Sequence, residues 1–527
     1  MLRRRLLAVA AAAVGVALLF VAYLQMSRTY AENSDSANIL LMSWDMLHGN
    51  VLLHGWYLSD VSFYSTELPQ YALLEGLLGL HVGTAHVAAA MTYTLVLIFA
   101  VLLARGSRDR AGDRAGGRAA WPRMALTGAL MVAPQLGVGV FVLLMSVGHI
   151  GTAVPLMLTW LVIDWAATKP RWFVPVIVGL LLTWVLVADP LVLVVGIVPL
   201  VAVCGLRVLR AVRSARPPGR GAALQASWYE VSLAAAAILA YGLADLVNRL
   251  LSASGGFILH PLGYQLAPVH TWPKHAWVTG EGLLALFGAK PQGPAPELVF
   301  ALLHLAGVAL VAWAICRVAR RFLRWPDLIG QVLLVAIVLN VLVYIPSTLA
   351  NATDLNAREF AVVLPFCAVL AGRALAEPLT ARLGASRWRT GLAAALAAGY
   401  LASLGYAAAQ PSVPPTQAQL ATFLAEHHLT DGISGYWQSS IVTVGSNGAV
   451  AVRAVQPSLR PYLWETKGSW YDQRATFLVT ENQAGYFNRF QPSASAVAAL
   501  GPPARTYHVG PYTVLVWNKN LLSSLVP

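Results

Sequence analysis

Long apolar segments alternate with short polar ones along this chain, and Lys and Arg gather in every second polar stretch. The stretches 1–5, 105–123, 169–171, 207–220, 317–324 and 373–389 hold 24 of the 36 Lys and Arg residues. Such residues collect in the cytoplasmic loops of multi-span membrane proteins. The pattern therefore predicts a polytopic α-helical protein of the cell membrane with a cytoplasmic N-terminus. The remaining polar stretches fall on the exterior face, and chemistry is expected there. Only 11% of residues are charged and 57% are hydrophobic, whereas a soluble protein carries about 25% charged residues. The formal charge of +13 reads as loop charge facing anionic headgroups, so no nucleic-acid partner is expected. Cys204, Cys316 and Cys367 lie in or beside apolar segments, which leaves no exterior disulfide and no metal-ligand spacing.

A span needs about 20 apolar residues. Segments 6–26, 83–104, 124–146, 152–168, 172–188, 190–206, 229–250, 297–316, 328–347, 359–377 and 390–409 qualify, giving about eleven transmembrane helices. The first follows Arg3-Arg4-Arg5 and exceeds the apolar core of a signal peptide, about 7–15 residues, so it is read as an uncleaved span. An odd number of spans sends the C-terminus outside. Asp189-Pro190 predicts a tight turn, because proline cannot continue a helix. The expected organisation is a transmembrane domain over 1–409 and a small exterior α/β domain over 410–527. Two exterior loops, 27–82 and 251–296, interrupt the first. Gln410-Pro411-Ser412-Val413-Pro414-Pro415-Thr416 is a stiff linker. In the tail, 417–428 has helical periodicity, while 449–455, 475–480 and 512–517 read as strands.

The first exterior loop is the densest in carboxylates. Glu32, Asp35, Asp45, Asp60 and Glu67 fall in it, in a protein with only 23 acidic residues. Ser34 or Asp35 is placed to cap a helix. Ala37, Leu40, Leu41, Trp44 and Leu47 then share one helical face up to Gly49, as in a helix lying on the membrane surface. His54, Trp56, Asp60, Tyr64 and Glu67 follow. The plain reading of these residues is a helix cap and an interfacial aromatic belt. The sharper reading is a catalytic carboxylate at the mouth of a cavity between spans.

This layout resembles the GT-C superfamily of integral-membrane glycosyltransferases, bacterial members of which use polyprenyl-phosphate sugars. The likeness rests on a first span, a long exterior loop with an acid just behind that span, an amphipathic helix, and the Pro69-Gln70-Tyr71 element leading to the second span. The resemblance implies that Asp35 acts as base or binds the acceptor. The chain departs from the Asp-Glu pair of the O-mannosyltransferases, since it reads Asp35-Ser36. The resemblance also implies that Arg358, an exterior cation against the charge trend, contacts the phosphate of the donor. Asp354 or Glu359 is its alternative partner. Some members of the superfamily use a divalent cation, for which Asp35 with Asp60 or Glu67 could supply oxygens; no metal site is otherwise expected.

Further binding residues are expected from composition alone. Lys274 is nominated for the donor phosphate. Asp60, Glu67, His54, Trp56, Tyr64 and His270 are nominated for substrate. His260, His270 and His275 lack metal spacing, and their loop is expected to form an aromatic lid with a helix over 278–287. His149 and Asp189 face the exterior, Asp189 as a turn cap. Tyr436, Trp437, Trp464, Trp470, Tyr471, Tyr486, Phe487 and Tyr507 form either a glycan platform or core. The expected function is transfer of a hexosyl or pentosyl unit, with inversion, from a polyprenyl-phosphate sugar to a glycan, lipid or protein acceptor. A transporter or lipid flippase, which would place ionisable groups at mid-span, and a non-catalytic envelope assembly protein are the alternatives.

Overall fold

The computed structural model describes residues 2–106, 116–145, 148–215, 220–350, 353–384, 387–481 and 489–524. All eleven segments expected to span contain helix. Seven helices among the described residues are long and apolar enough to cross a membrane: Leu6–Ser27, Val82–Arg105, Leu193–Ser214, Trp228–Ala253, Ala295–Arg320, Val363–Arg382 and Arg387–Ala408. The chain is thus a polytopic, mostly helical membrane protein. Ala153–Ala166, Val174–Ala188 and Leu328–Tyr344 are apolar but shorter. At about 1.5 Å per residue they fall short of a hydrocarbon core of about 30 Å. The segment expected over 124–146 is broken. Its helix Gly116–Met131 stops, and a second helix, Val138–Leu144, follows. Pro134 has no N–H to continue the first helix, and Gly137 takes φ +74° to restart the chain.

Helix ends sort into two groups. At one end, Arg373 lies almost fully buried between two carboxylates. Its Nη2 donates to Asp164 Oδ1 at 2.7 Å and to Asp327 Oδ1 at 2.8 Å, its Nε to Asp327 Oδ2 at 2.7 Å, and its Nη1 to the Leu103 carbonyl at 2.6 Å. Arg207 donates nearby to Gln331 and to the Pro326 carbonyl, and Arg123 pairs with Glu377. The basic stretches that the charge pattern put on one side therefore meet in space. Asp245 and Arg249 pair one turn apart, at 2.9 Å on an exposed helix face. Cys204, Cys316 and Cys367 are all free thiols.

At the other end, loops and tail interlock. Strands β1 (Trp56–Leu58), β2 (Ile258–Leu259) and β5 (Thr466–Lys467) come from the first loop, the second loop and the tail. They form one small sheet in the order β2-β1-β5, with β1 and β2 parallel and β1 and β5 antiparallel. Asp45 locks this junction. Its carboxylate accepts from Trp56 Nε1 at 2.7 Å, Asn50 Nδ2 at 2.6 Å and Lys467 Nζ at 2.9 Å. The remaining strands are β3 (Asp431–Ser434), β4 (Ala451–Ala454), β6 (Phe477–Glu481), β7 (Arg505–Val509) and β8 (Tyr512–Val516). They build a sheet in the order β4-β3-β6-β8-β7, parallel over β4-β3-β6 and antiparallel from β6 onward. Successive side chains of a strand point to opposite faces. Phe477 and Val479 accordingly join Leu420, Leu424 and Val442 on one face, and Leu478 joins Ile433, Ala475 and Trp517 on the other. Both faces are covered, so β6 is buried throughout.

The helix Ser34–Leu47 does not lie open on a membrane surface. Ala37, Asn38, Ile39, Leu40, Met42 and Ser43 are all buried, which is more than one face. Ile441 and Val444 of the tail helix Tyr436–Gly445 share its core with Leu68 and Tyr71 of the helix Glu67–Leu78. Of the stripe read from sequence, Ala37 and Leu40 are buried, Leu41 and Trp44 are half-buried and Leu47 is exposed, because a second packing partner lies about 400 residues away in the chain.

Two stability outcomes follow. Arg373→Ala leaves two buried carboxylates without their cation and should cost about 3–5 kcal/mol, read as a lowered thermal unfolding midpoint in detergent. Asp45→Ala strands three donors and should cost about 1–3 kcal/mol, with earlier proteolytic cleavage at the 410–416 linker than in the wild type.

Candidate active site

The site begins with a helix cap. Asn33 holds the cap position, ahead of the expected Ser34 or Asp35. Its Oδ1 accepts from the backbone N–H groups of Asp35 at 2.9 Å and Ser36 at 3.4 Å, and the Ser36 hydroxyl oxygen accepts from Asn33 N at 3.3 Å. This reciprocal arrangement satisfies the orphan donors of the first turn. It also leaves the Asp35 carboxylate unused by the helix. Asp35 Oδ1 instead accepts from Tyr436 Oη at 2.7 Å, and Oδ2 lies 3.4 Å from Arg358 Nη1.

Arg358 sits on the short 3-10 helix Asp354–Phe360. Its Nε is 3.5 Å from Glu359 Oε1, so Glu359 is the expected partner that is found, and Asp35 is a partner the sequence did not indicate. The Asp354 side chain and Asn351 lie outside the described residues. The Arg358 side chain stays 38% exposed, which leaves donor hydrogens for a ligand. Both residues line a cavity of about 600 Å³. Asp60, His149, Asp189, Glu359 and Glu465 complete its polar wall, while Leu191, Val194, Val343 and Leu349 form an apolar side. Leu193 and Val194 belong to a π-helical turn, Leu193–Ile197, an irregularity frequent at functional sites.

A second charged group joins the first through Glu359. His149 Nδ1 lies 2.7 Å from Asp189 Oδ2, and Nε2 lies 3.0 Å from Glu359 Oε2. Asp189 is the expected turn cap, accepting from Leu191 N at 2.9 Å, and it also accepts from the Thr152 hydroxyl. Burial alone would lower the His149 pKa, but the two carboxylates outweigh it and hold the ring protonated, well above the usual imidazole range. Burial likewise works against the Asp189 and Glu359 carboxylates, and the histidine cation more than offsets it, so both stay low.

The tail supplies the last members. Tyr436 Oη lies 2.7 Å from Asp35 Oδ1 and 2.7 Å from Glu465 Oε2. Asn38 Nδ2 donates to Tyr436 Oη at 3.1 Å and to Glu465 Oε2 at 3.3 Å. Burial, and then the Asp35 charge, pushes the Glu465 carboxyl up to about 7. Glu465 also takes φ +50°, a left-handed conformation that a glutamate seldom adopts. Trp464 lines the cavity and stacks on His260 at 5.0 Å.

Asp35, Asp60 and Arg358 are thus brought together, with Asp60 Oδ2 accepting from Gly263 N at 3.3 Å. Six other nominated residues do not line the cavity. Glu67 is buried against Thr66 and fills the space beside Gly151, where burial pushes its carboxyl up to about 7. His54 Nδ1 donates to the Gly255 carbonyl at 2.6 Å. Trp56 is buried on Asp45 and Trp470. Tyr64 packs on Phe257 and donates to the Val51 carbonyl. His270 and Lys274 are exposed at the start of the helix Trp272–Leu286. From that loop, Leu262, Gly263 and Tyr264 line the cavity instead. Among the described residues no three His, Cys, Asp or Glu side chains gather as metal ligands. Of the oxygens considered for a cation, Asp60 lines the cavity with Asp35, and Glu67 lies outside it.

Of the tail aromatics, Trp470, Tyr471 and Tyr507 are packing residues, and Tyr486 and Phe487 lie outside the described residues. Glu465 was missed from sequence. The available signal was an acid inside the aromatic run Tyr462-Leu463-Trp464-Glu465.

No protein-family model matches the chain, and no curated protein matches it. Among solved structures it aligns with the crystal structure of ArnT from Cupriavidus metallidurans bound to undecaprenyl phosphate. That alignment covers 98% of this chain and 99% of the other, at 14% identity and a TM-score of 0.43. It assigns no role to any residue of this chain.

Proposed function

We propose that the protein transfers a sugar from a polyprenyl-phosphate donor to a hydroxyl acceptor on the exterior face of the membrane. The observation that carries this reading is a carboxylate and a guanidinium 3.4 Å apart, both open to one cavity with an apolar wall. Arg358 binds the donor phosphate through its planar fork of donors. The apolar wall takes the first part of the lipid chain. Asp35 accepts the proton of the acceptor hydroxyl as its oxygen bonds to the anomeric carbon. The bond from that carbon to the phosphate oxygen breaks, and the electron pair leaves on the phosphate, facing Arg358. A single displacement inverts the configuration. His149, held cationic between Asp189 and Glu359, fixes Glu359 and through it the guanidinium.

Charge placement disfavours the transport reading. Asp164, Asp327 and Arg373 are buried together beside the last turn of the helix Val82–Arg105, at an end of the bundle and not along a mid-span path.

The reading is tested with purified protein and a panel of radiolabelled polyprenyl-phosphate sugars. Asp35→Asn should reduce transfer about 100- to 10,000-fold while the thermal unfolding midpoint is retained. Turnover near the wild-type rate in this variant removes Asp35 as base, and no transfer from any donor by the wild type removes the reading itself. Arg358→Lys should lower kcat/KM for the donor by about 30-fold or more, since one ammonium cannot reproduce the fork; an unchanged kcat/KM places the phosphate elsewhere.

A further inference from the structure

One phenol stands between two carboxyls, and it has one hydrogen. Tyr436 Oη is 2.7 Å from Asp35 Oδ1 and 2.7 Å from Glu465 Oε2. Both distances are those of a hydrogen bond between oxygens. The phenolic hydrogen can lie on only one of the two lines. The other line needs a hydrogen of its own, which must come from a carboxylic acid. Asn38 Nδ2 cannot supply it, because that group approaches Tyr436 Oη and Glu465 Oε2 from outside both lines, at 3.1 and 3.3 Å. The group therefore holds one proton beyond the phenol's, as two close carboxyls do when they cannot both ionise.

The surroundings decide where that proton sits. Asp35 faces the Arg358 guanidinium on its other oxygen and has access to the cavity. Glu465 is buried and meets no cation at ion-pair distance among the described residues. Asp35 and Asn38 approach it from the helix Ser34–Leu47, Tyr436 from the helix Tyr436–Gly445, and Ser59 from the end of β1. Tyr462 lies on its own segment, and Arg358 acts on it only across the site. Asp35 thus keeps the charge and Glu465 keeps the proton.

We infer that Glu465, a residue of the tail, is a neutral positioning acid for Asp35: its O–H donates to Tyr436 Oη, which turns the phenolic hydrogen onto Asp35 Oδ1. The inference rests on the proposed role of Asp35 as base. With Oδ1 held by the phenol, Oδ2 is the oxygen left to face Arg358 and the acceptor. The acceptor's proton goes to Oδ2 and is later released to water; Glu465 and Tyr436 end each turnover as they began it. The left-handed backbone at Glu465 is tolerated where the surroundings hold it, as strained residues at functional sites are. When Glu465 ionises, the phenol is drawn between two anions, and Asp35 loses its fixed donor. Protonated Glu465 is the working form, so activity is present below its pKa of about 7 and is lost as pH rises through it.

The experiment is a pH profile of transfer by the full-length protein in detergent, wild type against Glu465→Gln. The amide donates to Tyr436 as the acid does but cannot ionise. The wild type should lose rate about ten-fold per pH unit above the midpoint, and Glu465→Gln should stay flat across the same range. The same alkaline limb in both proteins overturns the inference. A second measurement separates this idea from the transferase reading. Infrared difference spectra of the wild type against Glu465→Gln, in which the Glu67 band common to both proteins cancels, should show the carbonyl stretch of a neutral carboxylic acid, lost on raising the pH through neutrality. It should be missing from Glu465→Gln and displaced in Tyr436→Phe, where the phenol oxygen no longer accepts. If no donor is turned over but this band titrates as described, the buried acid stands and the transferase reading falls. Identical spectra in wild type and both variants overturn the acid whatever the activity.

Discussion

The guanidinium of Arg358, set between Asp35 and Glu359, is the interaction on which the rest of the site depends. A single cation there serves two carboxylates from different parts of the chain. Each carboxylate in turn has another partner: the phenol of Tyr436 for Asp35, the ring of His149 for Glu359. Remove the guanidinium and two negative groups face one cavity with nothing between them, at a cost that grows as water is excluded. An arriving phosphate would compete with these carboxylates for the same N–H groups. On the proposed reading, donor binding therefore loosens Arg358 from Asp35 and leaves that carboxylate a better base when it is needed.

What holds these groups in register is a set of small, distributed contacts around the site. The three-stranded sheet has only two or three residues in each strand, and a pair of short strands is marginal on its own. It persists because Asp45, Trp56 and Lys467 lock its centre and because Ile441 and Val444 pack onto the helix that carries Asp35. At the opposite end, Arg373 ties three helices by donating to Asp164, Asp327 and Leu103. The bundle is clamped at one end by a buried ion cluster, and the opposite end is left to loops that can line a cavity.

Much of this was legible in the sequence. Charge alternation marks every helix end that gathers at the Arg373 cluster, and apolar length marks all eleven hydrophobic segments. The break at Pro134 and Gly137 was missed because the segment's overall hydrophobicity outweighed two local signals. Asp35 and Asp60 could be nominated because their loop is dense in carboxylates, and Arg358 because an exterior cation runs against the charge trend. His54, Trp56, Tyr64 and Glu67 belong to the same polar loop but turn into its own packing, and a linear pattern carries no sign of which way a loop side chain points. Asn33 and Ser36 took the capping role, so Asp35 did not. Tyr436 showed in the sequence only as one of the tail aromatics and Glu465 only as an acid inside an aromatic run, because their significance arises from a contact across 401 residues of the chain.

That last contact spans 401 residues, and on the proposed reading it sets when the protein can work. Ribosomes release a chain from its N-terminus, so Asp35 enters the membrane long before Tyr436 and Glu465 have been made. Until then the first loop carries an acid without its phenol and a short strand without its partner. On the proposed reading, the catalytic apparatus cannot exist in a nascent or truncated chain, however well its helices have inserted. Synthesis of the tail is in this sense the switch that turns the protein on.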